Sequence, residues 1–82
     1  MNHKIFHLNE NDLDVTINEN EIVMKWIDTK TKDVLSKNIF DSKGVFSNQV
    51  MREWLDKLMT PYETDIVIQT VHQYVIFKPY TV

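Results

Sequence analysis

The change of hydrophobic period at Gly44 most constrains what this chain can fold into. Before this glycine, apolar residues alternate with polar ones, which is typical of half-buried strands. After it, apolar residues recur at helical spacing between Val50 and Met59. Glycine suits the junction because it adopts positive φ most readily. The pattern predicts a run of strands followed by an amphipathic helix.

The alternating part predicts three strands over residues 13–17, 22–27 and 34–40. They are separated by polar turns, and neighbouring strands are expected to pair as hairpins. An additional edge strand is predicted over residues 4–8. On the central strand, apolar residues point to both faces, so one helix leaves part of the sheet uncovered.

The helical part is predicted to begin at Ser47, whose hydroxyl suits an N-cap, and to end at Thr60-Pro61. Trp54 is expected at the interface between helix and sheet. Residues 65–70 alternate again and 74–77 are apolar on both faces, so both predict strands. The predicted fold is a single α+β domain over residues 1–82: an antiparallel sheet of four to six strands, in the order β-β-β-α-β-β, with one amphipathic helix on one face.

Composition excludes several classes of protein. The chain has 82 residues, a net charge of −3 and no cysteine, which removes disulfides, thiolate nucleophiles and Cys-based metal sites. No stretch approaches the roughly 20 apolar residues of a membrane span, and the first residues contain no signal-like apolar run. We therefore expect an unprocessed protein of the cytoplasm, which is the host bacterial cytoplasm if a phage encodes it.

Catalysis and cofactor binding are not expected. A core of this size supplies only about 3–5 kcal/mol, which leaves little stability for a water-excluding cleft. His3 and His7 would stand about 13 Å apart in a strand and could not share a metal ion. Ser42 and His72 lie in no nucleophile motif, and one glycine cannot build a phosphate loop. The sequence predicts a non-enzyme with no cofactor and no metal.

Charge is distributed unevenly along the chain. The first 24 residues hold one lysine and five carboxylates, which lie in two turn regions at opposite ends of one predicted strand. Such acidic tips suit a basic groove on a partner, although charged turns also serve solubility alone. Aromatic anchors dominate many interfaces. The predicted protein-binding residues are Glu10, Asp12, Asp14, Glu19, Glu21, Tyr74 and Tyr80.

The next segment is basic. Residues 25–43 hold five lysines and three aspartates, and the lysines could follow a phosphate backbone. The interspersed carboxylates and the single arginine weaken a nucleic-acid function. The lysines in question are Lys25, Lys30, Lys32, Lys37 and Lys43.

One resemblance to a known family covers about the middle half of the chain. Short strands lead to Asn38-Ile39-Phe40-Asp41-Ser42, then a spacer, then an amphipathic helix carrying Trp54-Leu55. This order resembles small phage-encoded anti-CRISPR proteins, in particular those that inhibit type I-F surveillance complexes. The spacer around Gly44 is longer here, and residues 66–77 are predicted as a hairpin where that family is expected to be helical. The resemblance implies a compact, cofactor-free inhibitor that occupies a surface of a bacterial complex.

Three functions therefore remain open. The leading hypothesis is a non-catalytic, phage- or mobile-element-encoded inhibitor, which binds a bacterial protein or ribonucleoprotein complex through the acidic hairpin and the open sheet face. The second is a homodimeric structural, regulatory or immunity module that pairs edge strands or sheet faces. The third is a nucleic-acid-binding domain that uses the lysines from Lys25 to Lys43.

Overall fold

A computed structural model describes residues 2–44 and 46–74 of the chain. Its elements in chain order are β1 (Asn2–His7), β2 (Asn11–Ile17), β3 (Glu21–Asp28), β4 (Val34–Asp41), α1 (Ser47–Asp56) and α2 (Pro61–His72). The strands form one four-stranded antiparallel sheet in the order β1-β2-β3-β4. The predicted α+β class is confirmed. The predicted order β-β-β-α-β-β is wrong, because the described chain runs β-β-β-β-α-α.

The strand predictions before Gly44 are confirmed, including the edge strand at residues 4–8, which is β1. The register places Leu13 opposite Trp26 and Val15 opposite Met24, so their side chains share one face of the sheet. We call this the inner face. The residues that alternate with them point to the other side, the outer face.

The core lies between the inner face and the two helices. Phe40 meets Trp54 edge to face with ring centroids 5.9 Å apart, so the predicted place of Trp54 at the helix–sheet interface is confirmed. Each fully buried Leu, Ile or Met contributes about 1.5–3 kcal/mol through the hydrophobic effect. The buried apolar residues are Leu13, Val15, Ile17, Ile22, Met24, Phe40, Met51, Leu55, Val67, Ile68 and Val71.

The strand predicted over residues 65–70 is wrong, because these residues belong to α2. Thr60 and Glu63 form a reciprocal capping box, and Pro61 occupies the first turn, where its missing N–H costs nothing. Val67 and Val71 then share the buried side of the helix. Burial of these β-branched residues outweighs their modest preference for strands, because tertiary packing routinely overrides local propensity.

Two boundaries of the predicted helix are also wrong. Thr60-Pro61 begins α2 and does not end α1, which already ends at Asp56. Ser47 is the first residue of α1, and the N-cap is Phe46, which makes no side-chain capping bond. The strand predicted over residues 74–77 lies outside the described residues except for Tyr74, which lies in a turn after α2.

Gly44 marks the junction as predicted, but for a different reason. Its φ is not positive. A Cβ at this position would lie 2.5 Å from Oγ of Ser47, so glycine provides space for the first turn of α1. The residue with a positive φ is Lys32, at 67°, in the turn between β3 and β4. Within the described residues, neither helix has the length and hydropathy required to cross a membrane.

Candidate functional site

The outer face of the sheet is a surface that the two helices leave uncovered. All core residues of the strands point to the inner face, where α1 and α2 pack. The outer face instead carries charged and aliphatic residues in alternation with that core. It divides into two halves that differ in chemistry, one formed by β1 and β2 and the other by β3 and β4.

The half formed by β1 and β2 holds two histidine–aspartate contacts. His3 Nε2 lies 2.7 Å from Asp14 Oδ1, and His7 Nδ1 lies 3.1 Å from Asp12 Oδ1. The Thr29 hydroxyl also donates to Asp12 Oδ1, at 3.2 Å. Asp12 is only 8% exposed, so these two contacts supply the partners that a buried carboxylate requires.

The half formed by β3 and β4 places two lysines side by side. Lys25 and Lys37 are direct neighbours across the two strands. The Ser42 N–H donates to the Asn20 carbonyl, so Asn20 and Ser42 form a hydrogen-bonded pair just beyond the ends of β3 and β4. Because hydrogen-bonded and non-hydrogen-bonded pairs alternate along antiparallel strands, the even-numbered pairs of β3 and β4 up to the bulge are the hydrogen-bonded ones. Lys25 and Lys37 therefore form a non-hydrogen-bonded pair, with Cα atoms about 4.5 Å apart and side chains close together. We call these two residues the lysine pair.

Neither member of the lysine pair forms an ion pair with a carboxylate among residues 2–44 and 46–74. An ion pair of this part of the chain joins Arg52 to Asp65, and the His3–Asp14 and His7–Asp12 contacts are ion pairs only when the histidine is protonated. Like charges directly opposite one another destabilise an antiparallel pair of strands. Asp14 on β2 is the other direct cross-strand neighbour of Lys25, so an opposite charge lies beside Lys25, whereas Lys37 on the edge strand has only Lys25 opposite it.

Aliphatic residues flank the lysine pair on both sides along the strands. Val23 lies opposite Ile39 on one side, and Ile27 lies opposite Val34 on the other, beyond a bulge that leaves Leu35 without a partner. Val34 and Ile39 are 53% and 50% exposed. We call the whole set the β3–β4 patch: Val23, Lys25, Ile27, Val34, Lys37 and Ile39.

Acidic groups mark the two ends of these strands. Glu21 lies opposite Asp41 at one end, and Asp41 Oδ1 accepts the backbone N–H of Lys43. At the other end Asp28 accepts the backbone N–H groups of Lys30 and Thr31, at 2.8 Å and 3.0 Å. Those N–H groups, Thr31 first and Lys30 second, hold the pKa of the Asp28 carboxyl below its ordinary value of 3.8.

The structure does not bring the predicted acidic residues together. Asp12 and Asp14 lie on the outer face in contact with histidines, whereas Glu10 and Glu19 lie in turns at opposite ends of β2. Glu21 begins β3. The predicted aromatic anchors are separate from this group: Tyr74 is exposed after α2, and Tyr80 lies outside the described residues.

The predicted basic segment is also divided. Only Lys25 and Lys37 lie together, on the outer face. Lys30 and Lys32 lie in the turn between β3 and β4, and Lys43 follows β4. Sequence reasoning missed the lysine pair because the pairing depends on turn length and register. The signal was present in the two alternating runs. Two positions away on either side, Lys25 has Val23 and Ile27, and Lys37 has Leu35 and Ile39.

Other chemistry in the described part of the chain is sparse. No three His, Asp or Glu residues there are grouped so that they could hold a metal ion. A cleft between the β1–β2 turn and the α1–α2 linker is lined by residues that include Glu10, Trp26 and Glu63. The Glu63 carboxylate is engaged in capping α2, where it accepts the backbone N–H and the hydroxyl of Thr60.

Comparison with models of protein families, with curated proteins and with solved structures finds no match to this chain. The geometry of the outer face is therefore the basis on which function is argued.

Proposed function

We propose that this protein is a non-catalytic binding protein that docks on another protein through the outer face of its sheet. One observation carries the proposal: the β3–β4 patch exposes aliphatic side chains on a face that neither helix covers. Exposed apolar groups framed by charged residues are the usual signature of an interaction surface. The inner face supports them with a packed core, so little ordering is needed on binding.

The partner in this proposal is a bacterial protein or ribonucleoprotein complex, and binding inhibits it by covering a surface. The resemblance of about the middle half of the chain to anti-CRISPR proteins implies this form of the function. The predicted acidic residues extend the proposed surface, since Asp12 and Asp14 share the outer face with the β3–β4 patch.

The test compares two substitutions of the same kind on opposite sides of the molecule. Ile39 lies in the β3–β4 patch and is 50% exposed, while Ile66 lies on α2 and is 42% exposed. Tagged Ile39→Thr and Ile66→Thr proteins are used to capture partners from nuclease-treated bacterial lysate. We expect Ile39→Thr to lower the captured amount about fivefold or more, the effect of losing an interface residue worth above 1 kcal/mol. We expect Ile66→Thr to leave capture unchanged.

Circular dichroism on both variants checks that each retains the wild-type fold. Equal capture by the two variants would contradict the proposal, as would a photo-crosslinker that captures the partner from position 66 and not from position 39. Sedimentation at micromolar concentration examines the homodimer alternative. A wild-type dimer that becomes a monomer in Ile39→Thr would assign the outer face to a second copy of this chain.

A further inference from the structure

The lysine pair specifies the chemistry of the partner more closely than the exposed aliphatic groups do. We infer that the β3–β4 patch binds an acidic protein segment, whose carboxylates lie over Lys25 and Lys37 and whose apolar side chains contact the flanking aliphatic pairs. This inference rests on the proposed function and adds the charge of the partner to it.

The charges of the lysine pair favour an anionic partner. Lys25 and Lys37 lie directly opposite one another at the closer type of cross-strand position, and neither forms an ion pair within the described chain, although Asp14 is the neighbour of Lys25 on its other side. A pair of like charges in this position is unfavourable in the free protein. An anionic group bound between the two ammonium groups relieves that repulsion, most directly at Lys37, which has no carboxylate opposite it.

The residues around the lysine pair favour a protein over a nucleic acid as the partner. The residues that flank the lysine pair are aliphatic, whereas single-stranded nucleic acids are bound by aromatic side chains on which bases stack. The same face also carries Glu21 opposite Asp41. A continuous phosphate backbone that reached the lysine pair along β3 and β4 would meet these carboxylates, whereas a protein segment can carry its acidic groups at one place only.

The spacing between the lysine pair and the aliphatic pairs predicts the sequence pattern of the partner segment. Residues on one face of a strand repeat about every 7 Å, so an aliphatic pair lies at that distance on each side of the lysine pair. A matching segment has one or two acidic residues between apolar residues at similar spacing. The patch therefore selects for an alternation of apolar and acidic groups as well as for net charge.

The test uses a charge-reversed protein and a matched control. Lys25→Glu/Lys37→Glu reverses the lysine pair, and Lys30→Glu/Lys43→Glu makes the same change in net charge at residues in turns. Each protein is titrated with a short synthetic peptide in which two Glu lie between Leu and Val residues, and backbone amide shifts are recorded by NMR. We expect shifts confined to β3 and β4 in the wild type and in the control. The reversed protein should bind on the order of tenfold more weakly or worse.

A readout of stability separates this role from a structural one. Replacing one lysine of the pair by Glu creates an opposite-charge pair across the strands, so Lys37→Glu should raise the melting temperature while it weakens peptide binding. A merely structural lysine would not give opposite changes in the two measurements. Added salt should weaken peptide binding in the wild type, since exposed charges are screened.

Three results would overturn the inference. One is the absence of shifts in β3 and β4 with the acidic peptide, and another is equal binding of a peptide with Lys in place of both Glu. The third is tighter binding of oligothymidylate to the same lysines, which would assign the patch to nucleic acid. If lysate capture depends on Ile39 but not on the lysine pair, the proposed function stands and the inference fails. If capture does not depend on Ile39, the proposed function itself fails.

Discussion

The two halves of the outer face differ in how their charged side chains are paired. On β1 and β2, each aspartate is matched by a histidine, at 2.7 Å and 3.1 Å, and Asp12 has a second partner in Thr29. On β3 and β4, lysine lies opposite lysine, and glutamate lies opposite aspartate. The first half gives its aspartates partners within the chain, whereas the second places like charges side by side, with Asp14 of the first half as the opposite-charge neighbour of Lys25.

Unfavourable backbone geometry follows the same division. The bulge between Trp26 and Ile27 and the positive φ of Lys32 both belong to the β3–β4 hairpin. Local rules of sequence and structure are broken most often where a protein interacts with something else. A bulge and one positive φ are also ordinary in hairpin loops of this length, so the difference between the halves lies mainly in how their charged side chains are paired.

The largest expected effect tests whether the β1–β2 half is structural. Asp12→Ala leaves the Thr29 hydroxyl and the His7 ring without their shared acceptor in a nearly buried position. We expect the free energy of unfolding to fall by about 1–2 kcal/mol, measured by urea denaturation. Asp14→Ala, which removes one contact of a more exposed carboxylate, should cost less than half as much. A neutral Asp12→Ala would remove the contrast between the halves.

The next effect concerns the strained turn of the β3–β4 hairpin. Lys32 has a φ of 67°, a conformation that costs a residue with a Cβ about 1–2 kcal/mol and costs glycine little. Glycine also has more conformational entropy in the unfolded chain, which offsets part of this gain. We therefore expect Lys32→Gly to stabilise the protein by only about 0.5–1 kcal/mol in the same assay. Lys30→Gly in the same turn provides the control and should be destabilising or neutral. Destabilisation by Lys32→Gly would show that the turn stores no strain.

A smaller gain is expected from relieving the repulsion within the lysine pair. Lys37→Glu should increase the free energy of unfolding by about 0.5 kcal/mol, because an opposite-charge pair replaces a like-charge pair across the strands. The gain should disappear when Lys25 is already Ala, which a double-mutant cycle measures. A gain that persists in the Lys25→Ala background would trace to another charge and contradict the role of the pair.

The smallest effect is a dependence on pH at the end of the β3–β4 hairpin. The pKa of Asp28 is lowered in the folded protein, first by the Thr31 N–H and then by the Lys30 N–H. Its ionised form therefore stabilises the fold above the ordinary value of 3.8, and this contribution is lost as pH falls below that value toward the folded pKa.

Melting temperatures of Asp28→Asn and the wild type should therefore differ at neutral pH and converge in acid. Asp33→Asn, in the same turn, serves as the control, because the Asp33 carboxylate accepts no hydrogen bond among the described residues. A difference between Asp28→Asn and the wild type that stays constant as pH falls would contradict the lowered pKa.

The sheet could be predicted from the sequence because alternation in residues 13–40 leaves no competing period. The second helix was missed because residues 65–70 satisfy both periods. Ile66 and Ile68 alternate like a strand, but Thr64, Val67, Ile68 and Val71 also share one side of a helix. Thr60-Pro61-Tyr62-Glu63 carries the deciding signal, a capping box with proline in the first turn.

The candidate site was less predictable than the fold. The sequence shows that an uncovered sheet face exists, and it shows where the lysines lie along the chain. It does not show that Lys25 and Lys37 are neighbours, since a shift of one residue in the register would separate them. The bulge after Trp26 changes that register by one residue. The His3–Asp14 contact likewise joins residues that are diagonal across two strands, a relation that spacing along the chain does not reveal.

The hydrogen bond from the Ile39 N–H to the side chain of Asn38, at 2.9 Å, has a consequence for the behaviour of the protein at high concentration. β4 is an edge of the sheet, and an edge with free donors at alternate residues can seed the growth of fibres. Asn38 occupies the donor of Ile39, and Lys37 beside it adds a charge that a growing stack of chains would have to bury. The edge strand can therefore expose aliphatic side chains on its face while its backbone resists templated assembly.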